Sequence, residues 1–250
     1  MRILATIVAA VLLTGCATAA KRQEVQNQVD FHYRMGMAHL QDNAFQEALV
    51  EFREAEKANP KDTKALFAMG HAHYSQGDYA QARSAMERVL AINKGNGEAL
   101  NYLGNILEKQ GETDAALDAF SRAAQIPDYR TPHFALHNQA RILLQKGERA
   151  EAEQALLAAV RRVPEYYPAR ADLARLYLDD GRWADSVAQW RTFIDLRPDL
   201  AEAHYHLGRA YMGLNQIGPA RTELNTFIEQ AGPDDPLYPD AQALLDDLAR

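Results

Sequence analysis

Gly36, Gly70 and Gly104 recur at intervals of 34 residues, each inside the same local arrangement of small, apolar and turn-forming positions. A period of that length describes a repeated unit of two short helices and a turn. One such hairpin cannot bury its own apolar face, so the units must stack, and stacking leaves an extended concave surface suited to holding another protein. The chain is therefore expected to be all-α and to act by binding.

Within residues 29–62 each marker has a mechanical task. Gly36 and Ala48 are small where two helices cross closely, and they return as Gly70 with Ala82 and Gly104 with Ala116. Phe52, Met86 and Phe120 share one repeat position, on the face that carries Ala48, Ala82 and Ala116 four residues earlier. Gly77, Gly111, Gly147 and Gly181 fall where first helices end. Pro60, Pro164 and Pro198 close second helices.

The 34-residue pattern is the tetratricopeptide (TPR) signature. The resemblance implies a right-handed superhelix of about six repeats, at 29–62, 63–96, 97–132, 133–166, 167–200 and 201–234. Ala140, Ala174 and Gly208 continue the small crossing position. The third repeat is two residues longer, and the extra pair falls in Ile126–Pro132, where two prolines predict an irregular connection. In the fifth, Ser186 and Phe193 stand where alanine is usual. Ala241, Leu244, Leu245 and Leu248 have helical spacing, so residues 235–250 are expected to form a capping helix.

The other end of the chain carries a different signal. Arg2 precedes an eleven-residue, mostly apolar run, Ile3 to Leu13, against the roughly 20 residues that a membrane span needs. Residues 1–15 read as a signal peptide. Leu13-Thr14-Gly15-Cys16 resembles a bacterial lipobox, and Cys16 is the only cysteine in the chain. An internal disulfide or CxxC metal site is thereby excluded, and Cys16 is the expected site of lipid attachment, palmitate included. Several acyl chains hold a protein to a membrane where one is marginal. By resemblance to lipoprotein sorting in two-membrane bacteria, Ala17 in place of aspartate implies delivery to the outer membrane, with the repeats in the periplasm. Residues 16–28 read as a short polar tether.

Other function classes find little support. Thirty-four acidic residues outnumber 27 basic ones and are interleaved with them, whereas nucleic-acid binding needs a clustered basic stripe. No GxGxxG, GxxxxGK[ST], HExxH or GxSxG occurs. Asp179-Asp180 and Asp234-Asp235 are acid pairs at predicted turns, where aspartate is common for local reasons. No catalytic residue is expected, and the chain reads as a non-enzyme with no evident small-molecule substrate. His133 and His137, and the pairs His71/His73 and His204/His206, lack the cysteine or carboxylate that would complete a metal set. Neither metal nor cofactor is expected. His32, His39, His73 and His204 fall where TPRs place packing aromatics.

First helices line the inner face of TPR arrays, and the repeat phase selects the residues that point into it. Tyr33, Met37 and Leu40 come from the first repeat, Lys64, Phe67, His71 and Tyr74 from the second, and Asn101, Asn105 and Glu108 from the third. This mixture suits an extended or helical peptide, with amides pairing to its backbone and apolar groups as anchors. A clamp for a terminal carboxylate is not expected, because Tyr33, Phe67 and His137 stand where its lysines would be.

A narrower resemblance rests on the lipobox, the six repeats, the run Leu100-Asn101-Tyr102-Leu103-Gly104 and the connection Pro127-Asp128-Tyr129-Arg130-Thr131-Pro132. Together they resemble the type IV pilus biogenesis and stability lipoproteins, PilF/PilW. That resemblance implies a pilotin, which binds a secretin subunit and escorts it to the outer membrane by its lipid. Adaptors of peptidoglycan hydrolases and proteases, the NlpI-like lipoproteins, share the anchor and repeats. So do assembly factors for outer-membrane barrels or exported polysaccharide.

Overall fold

The computed structural model describes the backbone of residues 2–249 and the side chains of residues 19–249. The expected signal peptide and the expected lipid site at Cys16 lie outside the described side chains. Every regular element among the described residues is helical. The helices are α1 (Arg2–Gln41), α2 (Phe45–Ala58), α3 (Thr63–Ser75), α4 (Tyr79–Ile92), α5 (Gly97–Lys109) and α6 (Thr113–Gln125), then α7 (Pro132–Gln145), α8 (Arg149–Arg162), α9 (Tyr167–Asp179), α10 (Trp183–Leu196), α11 (Glu202–Gly213), α12 (Ile217–Ala231) and α13 (Tyr238–Asp247). Residues 19–28, which read from sequence as a tether, lie within α1.

The chain divides into two compact units, Met1–Tyr129 and Arg130–Arg250. The boundary falls in the proline-bounded connection between α6 and α7. Hairpins in an array are held by their neighbours rather than by a common centre, so a lengthened connection is a natural place to divide.

In the first unit, the crossing positions explain the glycines. A Cβ on Gly36 or Gly104 would enter the ring of Phe52 or Phe120, and one on Gly70 would meet the Met86 methyl. Phe52, Met86 and Phe120 have no exposed surface, so each fills the space that its glycine leaves. Turns follow a similar economy of side chain. Gly77, Gly111, Gly147 and Gly181 have φ of +70 to +79°, where a side chain is disfavoured. The same position holds Asn43 at φ 57° and Asn215 at φ 56° in the first and last hairpins. Asparagine tolerates left-handed backbone better than other side-chain-bearing residues, so the period continues there without glycine. Asp62, Asp78 and Asn96 cap α3, α4 and α5 by accepting the backbone N–H three residues on, at 2.9, 3.2 and 2.9 Å.

In the second unit, Ala140 and Ala174 are fully buried, and a Cβ on Gly208 would lie 2.8 Å from Cγ of Leu224. Ser186, unusual in a position otherwise held by alanine, is fully buried and donates to the Ala174 carbonyl at 2.9 Å. Its hydroxyl is thus satisfied where water cannot reach it. Phe193 packs with Trp190 against Ala171 and Ala203. At the C-terminal end, Ala241 is buried with Tyr205, Leu224 and Phe227, and Leu244 and Leu245 of α13, with Leu248 just past its end, pack on the same cluster.

Candidate partner-binding surface

A concave hollow of about 270 Å³ opens in the first unit between α1, α3 and the start of α5. Residues three and four apart share a helix face, and here Tyr33, Met37 and Leu40 of α1 meet Lys64, Phe67 and His71 of α3. Asn96 and Glu98 complete the rim. Six of the ten residues selected by repeat phase thus line one hollow. Leu40 is 9% exposed and belongs to the core beneath it. Tyr33, Met37 and Phe67 pack partly on that core and are half-buried, while Lys64 and His71 are exposed.

The remaining four are not among its lining residues. Tyr74 stands in a ring cluster, 5.4 Å from Tyr79 and 5.3 Å from Tyr102. Asn101, Asn105 and Glu108 are half-buried along α5. Phe67 also touches Tyr102, at 5.4 Å. Phe67 and Tyr74 therefore hold the unit together as well as facing its surface, which makes them poor probes of binding alone.

The chemistry of the hollow is amphipathic. Burial, reinforced by the carboxylates of Asp62 and Glu98, raises the Tyr33 phenol, so it stays a neutral donor. Partial desolvation against the hollow lowers His71, although the ring keeps an exposed edge, and favours an uncharged ring with one donor and one acceptor nitrogen. Between an apolar floor and these polar edges, apolar side chains of a peptide find a place and its backbone finds partners.

The other histidines form pairs that the repeat pattern alone did not foretell. His32 meets Glu51 at 2.7 Å and His204 meets Glu223 at 2.6 Å, one helix across in each case. His137 bonds Tyr166 at 3.0 Å and Asp172 at 2.8 Å. Further along, Arg175 bonds Glu202 at 2.7 Å, and His206 meets the same carboxylate at 3.1 Å. These residues of the second unit were not selected from sequence, although Phe134, His137, Arg175 and Glu202 occupy the repeat positions of Lys64, Phe67 and His71 in later hairpins. Among the described residues no three His, Cys, Asp or Glu side chains gather as metal ligands. Of the acid pairs, Asp180 is bonded by Arg149 of the preceding helix α8 at 2.7 Å and Asp235 accepts the Leu237 N–H of its own turn at 2.8 Å, so both serve the fold.

Loss of water around the ring lowers His73, His133 and His206, as it does the more exposed His71. Each of these rings takes up its proton in the unfolded chain, near the usual value of about 6.5, before the folded chain does. Stability is then full above that value and is lost as pH falls through it. The melting temperature should be lower at about pH 5.5 than at about pH 7.5, and the difference should shrink in His206→Gln. An unchanged melt across that interval would contradict this.

Comparison with known proteins agrees with the hairpin architecture. Models described as tetratricopeptide repeat match residues 39–84, 67–130 and 135–166, and one described as TPR repeat matches 174–215. The chain is 24% identical to the outer membrane protein assembly factor BamD of Caulobacter vibrioides, over 98% of this chain and 80% of that protein. Its fold is similar to the solved structure of Pseudomonas aeruginosa PilF, with a TM-score of 0.76 and 18% identity over 88% of this chain and 99% of that one. It is also similar to PilW, a widely conserved type IV pilus biogenesis factor, with a TM-score of 0.70 and 18% identity over 86% of this chain and 98% of that one. Among the described residues no helix is long and apolar enough to cross a membrane.

Proposed function

We propose that this chain of tetratricopeptide repeats is a non-enzymatic protein-binding scaffold, held at the bacterial outer membrane by a lipid on Cys16 and facing the periplasm. Residues 1–15 are removed, 16–28 join the lipid to the first hairpin, the six repeats span 29–234, and 235–250 cap the array. The observation that carries the reading is the hollow where α1, α3 and the start of α5 converge, with Tyr33, Met37 and Phe67 as an apolar floor and Lys64, His71 and Glu98 at its edge. A floor of that kind takes the apolar ridge of a peptide. The lipobox-like Leu13-Thr14-Gly15-Cys16 supplies the membrane link, and similarity to PilF and PilW in fold favours a secretin subunit as the partner.

A second reading rests on a different observation. The alignment with BamD runs along nearly the whole chain, and it favours a role in assembling outer-membrane barrel proteins.

Capture from detergent-solubilised envelopes separates the two, with the mature chain as bait. Recovery of a secretin, together with loss of secretin rings in a deletion strain, supports the first; recovery of barrel-assembly components supports the second. Lys64→Glu, an exposed change on the rim, should weaken the captured complex about tenfold while the melting temperature is kept, a size usual for a residue that matters at an interface. Equal capture by Lys64→Glu and the unaltered chain would move the binding surface elsewhere.

A further inference from the structure

The first hairpin leaves bare a face that the later repeats bury. Ala65, Ala99, Ala135, Ala169 and Ala203 share one repeat position and are at most 1% exposed. The same position in the first hairpin holds Phe31, which is 54% exposed. One turn further along, Met69, Leu173 and Leu207 are buried where Met35 is 40% exposed, and beyond them Ala72, Ile106 and Leu176 are buried where Ala38 is exposed. In the second and sixth repeats the cover is the second helix of the hairpin before. Ala65 is buried with Ala55 of α2, Met69 and Ala72 with Leu49 and Phe52 of α2, and Ala203 and Leu207 with Trp190 and Phe193 of α10. The repeat itself thus displays what this face is shaped to receive, which is a helix.

Charge narrows the choice of helix. Glu24, Gln28, Phe31, Met35, Ala38 and Asp42 follow one another at three and four residues along the chain, so they form one stripe about 27 Å long, and all six are exposed. The stripe is apolar in the middle, has a carboxylate at each end and carries no cation between them. Among the described residues neither Glu24 nor Asp42 has an ion-pair partner. A second copy of α1 would set carboxylate against carboxylate whichever way it ran, and an anionic bilayer surface would be repelled in the same way. Phe31 also stands out where alanine lets a covering helix lie close, so the occupant needs a small residue opposite it.

We propose that this face receives an amphipathic helix of a partner protein, with lysine or arginine near both ends, apolar residues between them and glycine or alanine opposite Phe31. It lies where the second helix of a preceding hairpin lies in later repeats, and its cations meet Glu24 and Asp42. The inference rests on the reading of the chain as a protein-binding scaffold and adds a second surface to it, since Tyr33 and Met37 turn to the hollow on the α3 side of α1.

Met35 and Met37 are two residues apart on different sides of α1, so their methyl groups report the two surfaces separately. A chain carrying carbon-13 methionine methyls is titrated with an alanine- and leucine-based amphipathic peptide of about 20 residues that bears lysines at both ends, and with the same peptide bearing glutamates there. The expected result is a saturable shift of the Met35 methyl with the lysine peptide and about tenfold weaker binding of the glutamate peptide. In the double variant Glu24→Lys with Asp42→Lys that preference should reverse. Phe31→Ser, an exposed change, should weaken the lysine peptide about tenfold and keep the melting temperature. No shift at Met35, a shift at Met37 alone, or a preference that survives the double charge reversal would overturn the proposal. Capture with Lys64→Glu reads the hollow separately, so failure of one surface is distinguishable from failure of the other.

Discussion

Replacing Gly104 with valine should destabilise the first unit by about 3 kcal/mol, at the upper end of what overpacking a core costs. Even the first carbon of the new side chain has nowhere to go, because an added Cβ would lie 2.6 Å from Cδ1 of Phe120 and 2.8 Å from Cζ. Phe120 cannot retreat, being fully buried beside Ala116, Ala119 and Ala123. Its removal is damaging for the opposite reason: Phe120→Ala should cost about 3–5 kcal/mol by leaving a cavity. The two changes touch the same space, so their effects should not add. In the Phe120→Ala background, a methyl at residue 104 enters the vacated volume, and Gly104→Ala should there be neutral or mildly stabilising, since alanine is also the better helix former by about 1 kcal/mol. Urea unfolding of the four chains of that cycle measures this. Additive penalties would show that helices α5 and α6 do not depend on this contact.

The second large effect concerns place rather than stability. Cys16→Ala should leave the melting temperature unchanged and release the protein from the membrane fraction. Each buried methylene of an acyl chain contributes about 0.8 kcal/mol of membrane affinity, and several chains together make release negligible. No described helix supplies a membrane span in their stead. Fractionation followed by a carbonate wash reads the outcome directly. If Cys16→Ala still sediments with washed membranes, the lipid is not what holds this protein there.

Much of the fold was legible in the chain. The recurrence of Gly36, Gly70 and Gly104 with Phe52, Met86 and Phe120 encodes a contact between successive helices, and such contacts repeat because the hairpin repeats. Turn glycines were legible too, but Asn43 and Asn215 were not singled out, since asparagine marks a left-handed turn only once the period points to it. Phase on first helices picked out Tyr33, Met37, Lys64, Phe67 and His71, which line one hollow. It also picked Tyr74, whose ring is occupied by Tyr79 and Tyr102, a distinction that depends on rotamers rather than register. The histidine pairs escaped for a related reason. His32 reaches Glu51 and His137 reaches Asp172 across 19 and 35 residues of chain, and only packing brings them within bonding distance.

By itself, then, the sequence determined the helical hairpin, its period, its small crossing residues and the irregular link from Ile126 to Thr131, because all of these follow from local backbone preference and repeated apolar spacing. The tertiary structure alone decided that the chain divides at that link into two compact units, which phase-selected residues share a hollow, and that Arg175, Trp190 and Glu202 surround another. Those features depend on side chains from different helices meeting in space, and a one-dimensional period carries no information about which rotamer fills a given gap.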